Sequence, residues 1–573
     1  MRKVITLLLC LLLLLPRSFA ADFEITDDDT VEVNKEALLA ALYEADISSI
    51  REAIDLGLIT CVELTEYYLE RIEAYNDTFQ CFITLCDNAL QVAEERDAEL
   101  ASGKAEGKLF GIPIVVKDNI DYEGYPTTNG LWSYNNYPAS RSATIVQYLL
   151  DEGAVILGKT NMSAAAQDAL CSINASGLQT FNAYNQNLSS GGSSGGSASA
   201  VSLNFAVVGL GTDTNSSLRY PSALNGCVTL RTTFGLLDRD GCTILNYSRD
   251  TPGAITRSVM DQAIMLDVMS GGTYAYAENL DANALSEMRI GVLSELAYPI
   301  DGSYNRKDSD LDDEIQAAFH NAVEELIDCG AEVVVVSMPE IFTEIASANS
   351  DYNYSRERLY DKMEALMEEY SVKALIFPTY LHSPHYVTYE YLQGKSIFDQ
   401  PYICNCATLS PLTGAPELTL PIGQHTRGAA IGMEIFSLKN QEQLLLNIAY
   451  SYSERYDHRQ APDTAPSLHH GDQELTLEEF LEQYRRSLVE AEALKYEEVN
   501  TEPPTQTQTT PEVTVTEPPE EVEGQASKSK DYKLSEIIWY LVPMILLISG
   551  CAAAFIISSL KERARALGHN DDS

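Results

Sequence analysis

Apolar residues recur at helical spacing along 311–329, where Leu311, Ile315, Ala318, Phe319, Ala322, Val323, Leu326 and Ile327 fall on one face. A β-branched run at 331–336 follows, and the pair predicts a helix feeding a buried strand. The same alternation appears where 142–152 leads into Ala154-Val155-Ile156-Leu157, and 289–293 reads as another short strand. From 50 to 102 the apolar positions Ile54, Leu56, Leu58, Leu64, Tyr67, Tyr68, Leu69 and Ile72 suit a helical layer. Strands alternating with helices predict an α/β fold with a mixed, mostly buried sheet. No repeat of fixed period interrupts it, and one large domain over 23–495 is expected.

The two ends are patterned differently. Residues 1–20 carry a basic start (Arg2, Lys3), an apolar run and small residues at Ser18-Phe19-Ala20, the pattern of a secretory signal peptide. Residues 497–530 are rich in Thr, Pro and Glu and read as an extended stalk. The apolar stretch 537–557 is followed by Lys561, Arg563 and Arg565, which predicts a spanning helix with 558–573 as a cytoplasmic tail. Together these segments predict a single-pass type I membrane protein with its domain outside the cell.

Composition narrows the function. With 45% hydrophobic residues in a chain of 573 a large core is possible, and 84 acidic against 38 basic residues give a net charge of −46. Phosphate would be repelled, so no nucleic-acid partner is expected. The chain has 11 cysteines, and setting aside Cys10 and Cys551 in the two apolar end segments leaves an odd number, so no full disulfide framework is implied. Cys404 and Cys406 read as buried thiols, and His382 and His385 lack a third ligand in the sequence, so no metal is expected.

The most unusual local composition is the glycine- and serine-rich run 188–200. Alone, its composition favours a flexible linker over backbone shaped to approach a ligand. Its place inside the domain, with apolar 205–208 directly after, favours the second.

Three motifs in order then carry a resemblance: Gly111-Ile-Pro-Ile-Val-Val-Lys-Asp-Asn-Ile, the glycine-serine run, and Gly211-Thr-Asp-Thr-Asn-Ser-Ser-Leu-Arg-Tyr-Pro-Ser. With Gly158-Lys-Thr-Asn-Met-Ser, Arg239-Asp-Gly-Cys, Asp250-Thr-Pro-Gly-Ala-Ile-Thr-Arg-Ser-Val and Gly414-Ala-Pro-Glu-Leu-Thr-Leu-Pro-Ile-Gly, the chain resembles the amidase signature family over about residues 38–490. The resemblance implies a large α/β/α domain and a Ser, cis-Ser, Lys triad that cleaves carboxylic amides, with no metal or organic cofactor. Residue by residue, Lys117 matches the catalytic lysine, Ser193 the bridging serine and Ser217 the nucleophile. Asp213 and Arg219 match supports of the nucleophile loop, and the backbone N–H groups of Thr214, Asn215, Ser216 and Ser217 match the oxyanion hole.

Bland readings stand beside these. Lys117 before Asp118 reads as a surface ion pair, Ser193 is distinguished from Ser194 by position in the family pattern alone, and Ser217 reads also as a turn residue. If Lys117 acts as a base it must be neutral, which requires burial, and Ile114, Val115 and Val116 supply apolar neighbours.

The chain also departs from the pattern. Asn215 and Ser216 stand where the family has glycines; if those positions need φ > 0, each side chain costs about 1 kcal/mol or more. Loss of one oxyanion donor typically costs about a hundredfold or more in rate. Thr229 replaces another common glycine, where only packing should change. Asn215-Ser-Ser217, Asn161-Met-Ser163 and Asn187-Leu-Ser189 are glycosylation sequons, and three of them in one site favour a bacterial source.

Three functions follow: a membrane-tethered amidase acting on a small-molecule or peptide amide; a non-catalytic surface binding protein, because of the lost glycines; and one component of an amidotransferase. The export signal and the charge of −46 oppose the last.

Overall fold

Residues 82–85, Phe-Ile-Thr-Leu, form a strand inside the stretch expected to be helical throughout. In a computed structural model of the chain, helices Ile47–Asp55, Cys61–Phe79 and Ala89–Ala101 surround it. Thr60 and Glu63 close a reciprocal capping box that starts the long middle helix. That helix ends at Gln80, whose left-handed backbone turns the chain into the strand. A four-residue strand between two helices is too short for its period to stand out.

The structure describes residues 23–25, 31–131, 137–298, 312–350, 352–382, 386–387, 405–470 and 475–501. The signal segment 1–20, the spanning segment 537–557, the tail 558–573 and the stalk beyond 501 lie outside them. The last described helix, Leu477–Thr501, overlaps the first residues of the stretch read as stalk. Among the described residues no helix is long and apolar enough to cross a membrane.

In chain order the strands are β1 (Phe23–Ile25), β2 (Val31–Val33), β3 (Phe82–Leu85), β4 (Pro113–Lys117), β5 (Val155–Thr160), β6 (Ser172–Ile173), β7 (Gln179–Thr180) and β8 (Val208–Asp213). They continue as β9 (Val228–Arg231), β10 (Thr251–Thr256), β11 (Arg289–Leu293), β12 (Glu332–Val336), β13 (Ala374–Pro378), β14 (Glu417–Gln424) and β15 (Ala430–Phe436). Eleven of them form one sheet in the order β12-β11-β13-β15-β14-β9-β10-β8-β4-β5-β3. β4 pairs in parallel with β5 and β8, and β11 in parallel with β12 and β13. The remaining pairs are antiparallel, so the sheet is mixed as expected.

All five residues of β4 and all six of β5, β8 and β10 are buried. Alternate side chains point to opposite faces, so burial of every residue means both faces are covered. Helices Cys61–Phe79 and Gly195–Ser202 both pack against β4 and β5. The strand expected to be buried at 331–336 is corrected: among the described residues β12 is the edge of the sheet, paired only with β11, and Val335 is 64% exposed. A β-branched run marks a strand but not how many neighbours it has.

The glycine-serine run is not a linker. Every residue from 188 to 200 is buried, and Gly195–Ser202 is a helix. A Cβ on Gly192 would meet the carbonyls of Asp168 and Cys171, and one on Gly196 the carbonyl of Asn161. Glycine is needed there because backbone packs on backbone.

Candidate active site

β4 and β8 run side by side in parallel with Val115 opposite Gly209 and Val116 opposite Leu210. This register brings the end of β4 level with the end of β8, where α/β sheets carry their sites. Lys117 Nζ accordingly lies 2.9 Å from Thr212 Oγ1, across 95 residues of sequence, and 3.4 Å from the Thr212 carbonyl. The helix Gly195–Ser202 packs on the same strands, and the turn before it supplies two more partners. Ser193 Oγ is 2.7 Å and Ser194 Oγ 2.8 Å from the same nitrogen. The peptide bond Gly192–Ser193 is cis.

Lys117 is completely buried. Burial pushes its amine down to about 7, against the pull of Asp213, Asp250 and Cys242. The bland reading of Lys117 and Asp118 as a surface ion pair is overturned, because both side chains are buried and belong to different networks. Asp118 faces Lys159 at 3.7 Å and accepts from the Thr128 hydroxyl and from the Gly130 N–H at 3.2 Å. Burial raises the Asp118 carboxyl and lowers the Lys159 amine, each opposed by the other.

Ser217 lies at the head of the helix Arg219–Leu224 and is 6% exposed. Its carbonyl accepts the N–H of Ser194 at 3.2 Å, which fixes its backbone against the cis-serine turn. Before it, neither Asn215 nor Ser216 has positive φ. The strain foreseen for side chains at these positions is therefore absent, since their backbone conformation is open to any residue. Among the described residues none of the four N–H groups from Thr214 to Ser217 donates to a backbone or side-chain acceptor.

The loop is held from behind by buried ions. Arg219 donates to Asp213 at 3.2 Å, to the Asn215 carbonyl at 2.6 Å, and to Glu417, with Glu434 at 3.5 Å. Asp213 also accepts the Leu218 N–H at 3.2 Å and lies 3.2 Å from Arg231. Burial alone would raise the Asp213 carboxyl, but Arg219 and Arg231 outweigh it and hold it low. Glu417 goes the other way: burial, then the neighbouring Glu434, drives its carboxyl far up despite Arg219. The neutral form of Glu417 is thereby favoured, which lightens the buried negative charge facing Arg219.

Several participants have no signal in the sequence pattern. Thr212, Asn119 and Glu417 stand inside the quoted motifs, which assign them no role, and Ser172, Arg231 and Glu434 stand outside those motifs. Ser172 accepts the Gly195 N–H at 2.9 Å and donates to the Gly191 carbonyl at 3.0 Å, bracing the cis-serine turn from a segment with no motif of its own. Thr229 behaves as expected of a packing change, its hydroxyl donating to the Ala254 carbonyl at 2.6 Å. Of the sequon asparagines, Asn161 is buried while Asn187 and Asn215 are exposed. Among the described residues no group of three or more His, Cys, Asp or Glu is arranged to hold a metal, and the described cysteines, Cys406 included, are free thiols. Cys404 and His385 lie outside the described residues.

A mixed α/β sheet with a buried Lys-Ser pair at its strand ends is the class of an amide hydrolase, and the comparisons with known proteins agree. The family model described as Amidase matches residues 63–352, and the chain belongs to that family. It is an amidase, a hydrolase of carbon-nitrogen bonds. Among curated relatives, the A subunit of glutamyl-tRNA(Gln) amidotransferase from Trichodesmium erythraeum is 30% identical over 488 residues, 72% of this chain and 98% of the relative. Its counterpart from Thermoanaerobacter pseudethanolicus is 27% identical over 484 residues, 72% of this chain and 96% of the relative. Among solved structures, native peptide amidase from Stenotrophomonas maltophilia matches with a TM-score of 0.64 and 27% identity over 74% of this chain and 99% of its own.

Proposed function

We propose that Ser217 is the nucleophile of an amidase whose base is the neutral amine of Lys117, relayed through Ser193. The observation that carries this is the 2.7 Å contact between Lys117 Nζ and Ser193 Oγ inside a site that excludes water from the amine. A neutral amine has two N–H donors and one lone pair. The Ser194 hydroxyl lies 3.2 Å from the Thr212 carbonyl and donates there, so it accepts from Lys117. Asn119 donates to Thr212 Oγ1 at 2.9 Å, which makes that oxygen an acceptor as well. We assign the lone pair to the Ser193 hydroxyl, the nearest of the three hydroxyls at 2.7 Å.

In the reaction, Ser217 Oγ attacks the amide carbon as its proton passes to Ser193 and the Ser193 proton passes to Lys117. The carbonyl oxygen becomes an anion received by the N–H groups of residues 214–217. Lys117, now charged, returns the proton through Ser193 to the leaving nitrogen, and ammonia or an amine departs. Water, deprotonated along the same path, then releases the acid and frees Ser217. Asp213 and Arg219 hold the loop and take no part in proton transfer.

The substrate is a small-molecule or peptide amide; the likeness to a peptide amidase supports the second. The charge of −46 weighs against work on tRNA, the molecule in the curated relatives' name. Export by residues 1–20 and attachment through 537–557 of a bacterial chain belong to the same proposal and rest on the sequence. The rival reading, a non-catalytic binding protein, loses its main support because Asn215 and Ser216 impose no left-handed strain.

A fluorophosphonate serine probe tests the reading on the full chain. Labelling of wild type that disappears in Ser217→Ala and in Lys117→Ala supports it. A folded wild type that is not labelled favours the binding role.

A further inference from the structure

Asn215 is the side chain that departs most from the family pattern beside the nucleophile, and it is not left loose. Its carboxamide oxygen accepts from Arg249 Nη1 at 2.9 Å. Arg249 is anchored at two further points: Nη2 donates to Asn349 Oδ1 at 3.2 Å on the helix Ile341–Ser350, and its carbonyl accepts from Arg231 Nη2 at 2.5 Å. The next residue continues the stitching. Asp250 accepts the Thr214 hydroxyl at 2.6 Å through one oxygen, and the N–H groups of Leu245 and Asn246 at 2.6 and 3.0 Å through the other.

We infer that Arg249 is a positioning residue for this hydrolysis, acting through the Asn215 side chain to hold the amides of residues 214–217 in place. The inference rests on the reading of Ser217 as nucleophile. Asn215 is gripped from two sides: Arg219 holds its backbone carbonyl from the buried side, and Arg249 holds its side chain from the exposed side. A peptide unit is planar, so fixing the Asn215 carbonyl on Arg219 turns the Ser216 N–H the opposite way. The remaining freedom is rotation of the whole unit about its Cα atoms, and the link from Asn215 to Arg249 opposes that rotation. Dipoles aimed at a developing charge act only if they need not reorganise. Where glycines would let backbone pack without side chains, this chain uses a side-chain tether to a neighbouring loop.

The test is a double-mutant cycle on the full chain with Arg249→Ala, Asn215→Ala and the pair. Two readouts are taken: the rate of Ser217 labelling by a fluorophosphonate, and hydrogen exchange of a peptide spanning 214–217. Arg249→Ala should slow labelling by between about tenfold and a hundredfold and speed exchange in that peptide. In the Asn215→Ala background, loss of Arg249 should change either readout by less than about twofold. An equal loss in both backgrounds would mean that Arg249 meets the substrate or the fold directly, and no loss in wild type would mean that the tether is idle; either overturns the inference. Absence of Ser217-dependent labelling in wild type would instead count against the nucleophile reading, while the exchange data would still decide the tether.

Discussion

Arg219 donates to the carbonyl of Asn215 at 2.6 Å and to that of Cys406 at 2.5 Å, and it also meets three buried acidic side chains, Asp213, Glu417 and Glu434. One guanidinium thus joins the charge balance of the core to the shape of the nucleophile loop. Arg219→Met should destabilise the protein by about 3–5 kcal/mol, because it strands buried negative charge. Glu417→Gln in the same chain should recover little of that loss, because burial and Glu434 already favour the neutral form of Glu417. Urea denaturation of the two variants checks both statements.

The buried amine sets the pH profile. Burial holds Lys117 at about 7, and the proposed base is its neutral form, so hydrolysis should rise with pH through about 7 and then level off. Stability should move in the same direction. Between about 7 and the ordinary lysine value the unfolded chain binds a proton that the folded one does not, so stability gains as pH rises across that window. Lys117→Met should abolish hydrolysis and flatten this part of the stability curve, measured by denaturation at several pH values.

Two adjacent serines touch the same nitrogen, and their removal should differ in kind. Ser193→Ala interrupts the proposed relay and should lower the hydrolysis rate by about a thousandfold or more. Ser194→Ala keeps the N–H that meets the Ser217 carbonyl, and of the Lys117 partners it removes one acceptor, together with the hydroxyl's bonds to the Thr212 backbone. Since acceptors favour the charged amine, the pH at which activity rises should fall in Ser194→Ala. If the two variants have the same profile and the same loss, the assignment of separate roles is wrong.

Gly196 lies where the run 188–200 crosses the backbone of Asn161, and a Cβ there would meet that carbonyl. Gly196→Ala should cost about 1–3 kcal/mol or more and lower the melting temperature, with labelling of any folded fraction reduced as the serine turn shifts. Thermal unfolding followed by circular dichroism measures the first effect.

The sequence was informative where a residue's type is dictated by local geometry. Lys117, Ser193 and Ser217 stand in short ordered motifs, and the strand that ends at Lys117 follows from the apolar run Ile114-Val115-Val116. It was silent where partners come from distant strands. Glu417 and Glu434 reach Arg219 from two strands about two hundred residues further along the chain; the motif that contains Glu417 does not tell its partner, and Glu434 stands outside the quoted motifs. Edge and centre were equally hidden: β12 and β4 are both apolar and β-branched, yet β12 has one strand neighbour and β4 has two.

On the mechanism proposed above, hydrolytic competence waits for the register of β4 on β8. A polypeptide in which these two strands have not yet met carries at 117 a well-hydrated cation with no appetite for a proton. A slip of one residue would turn that side chain through the sheet to the opposite layer. If Lys117 is the base, copies in which the two strands have not paired lack the neutral amine that hydrolysis requires.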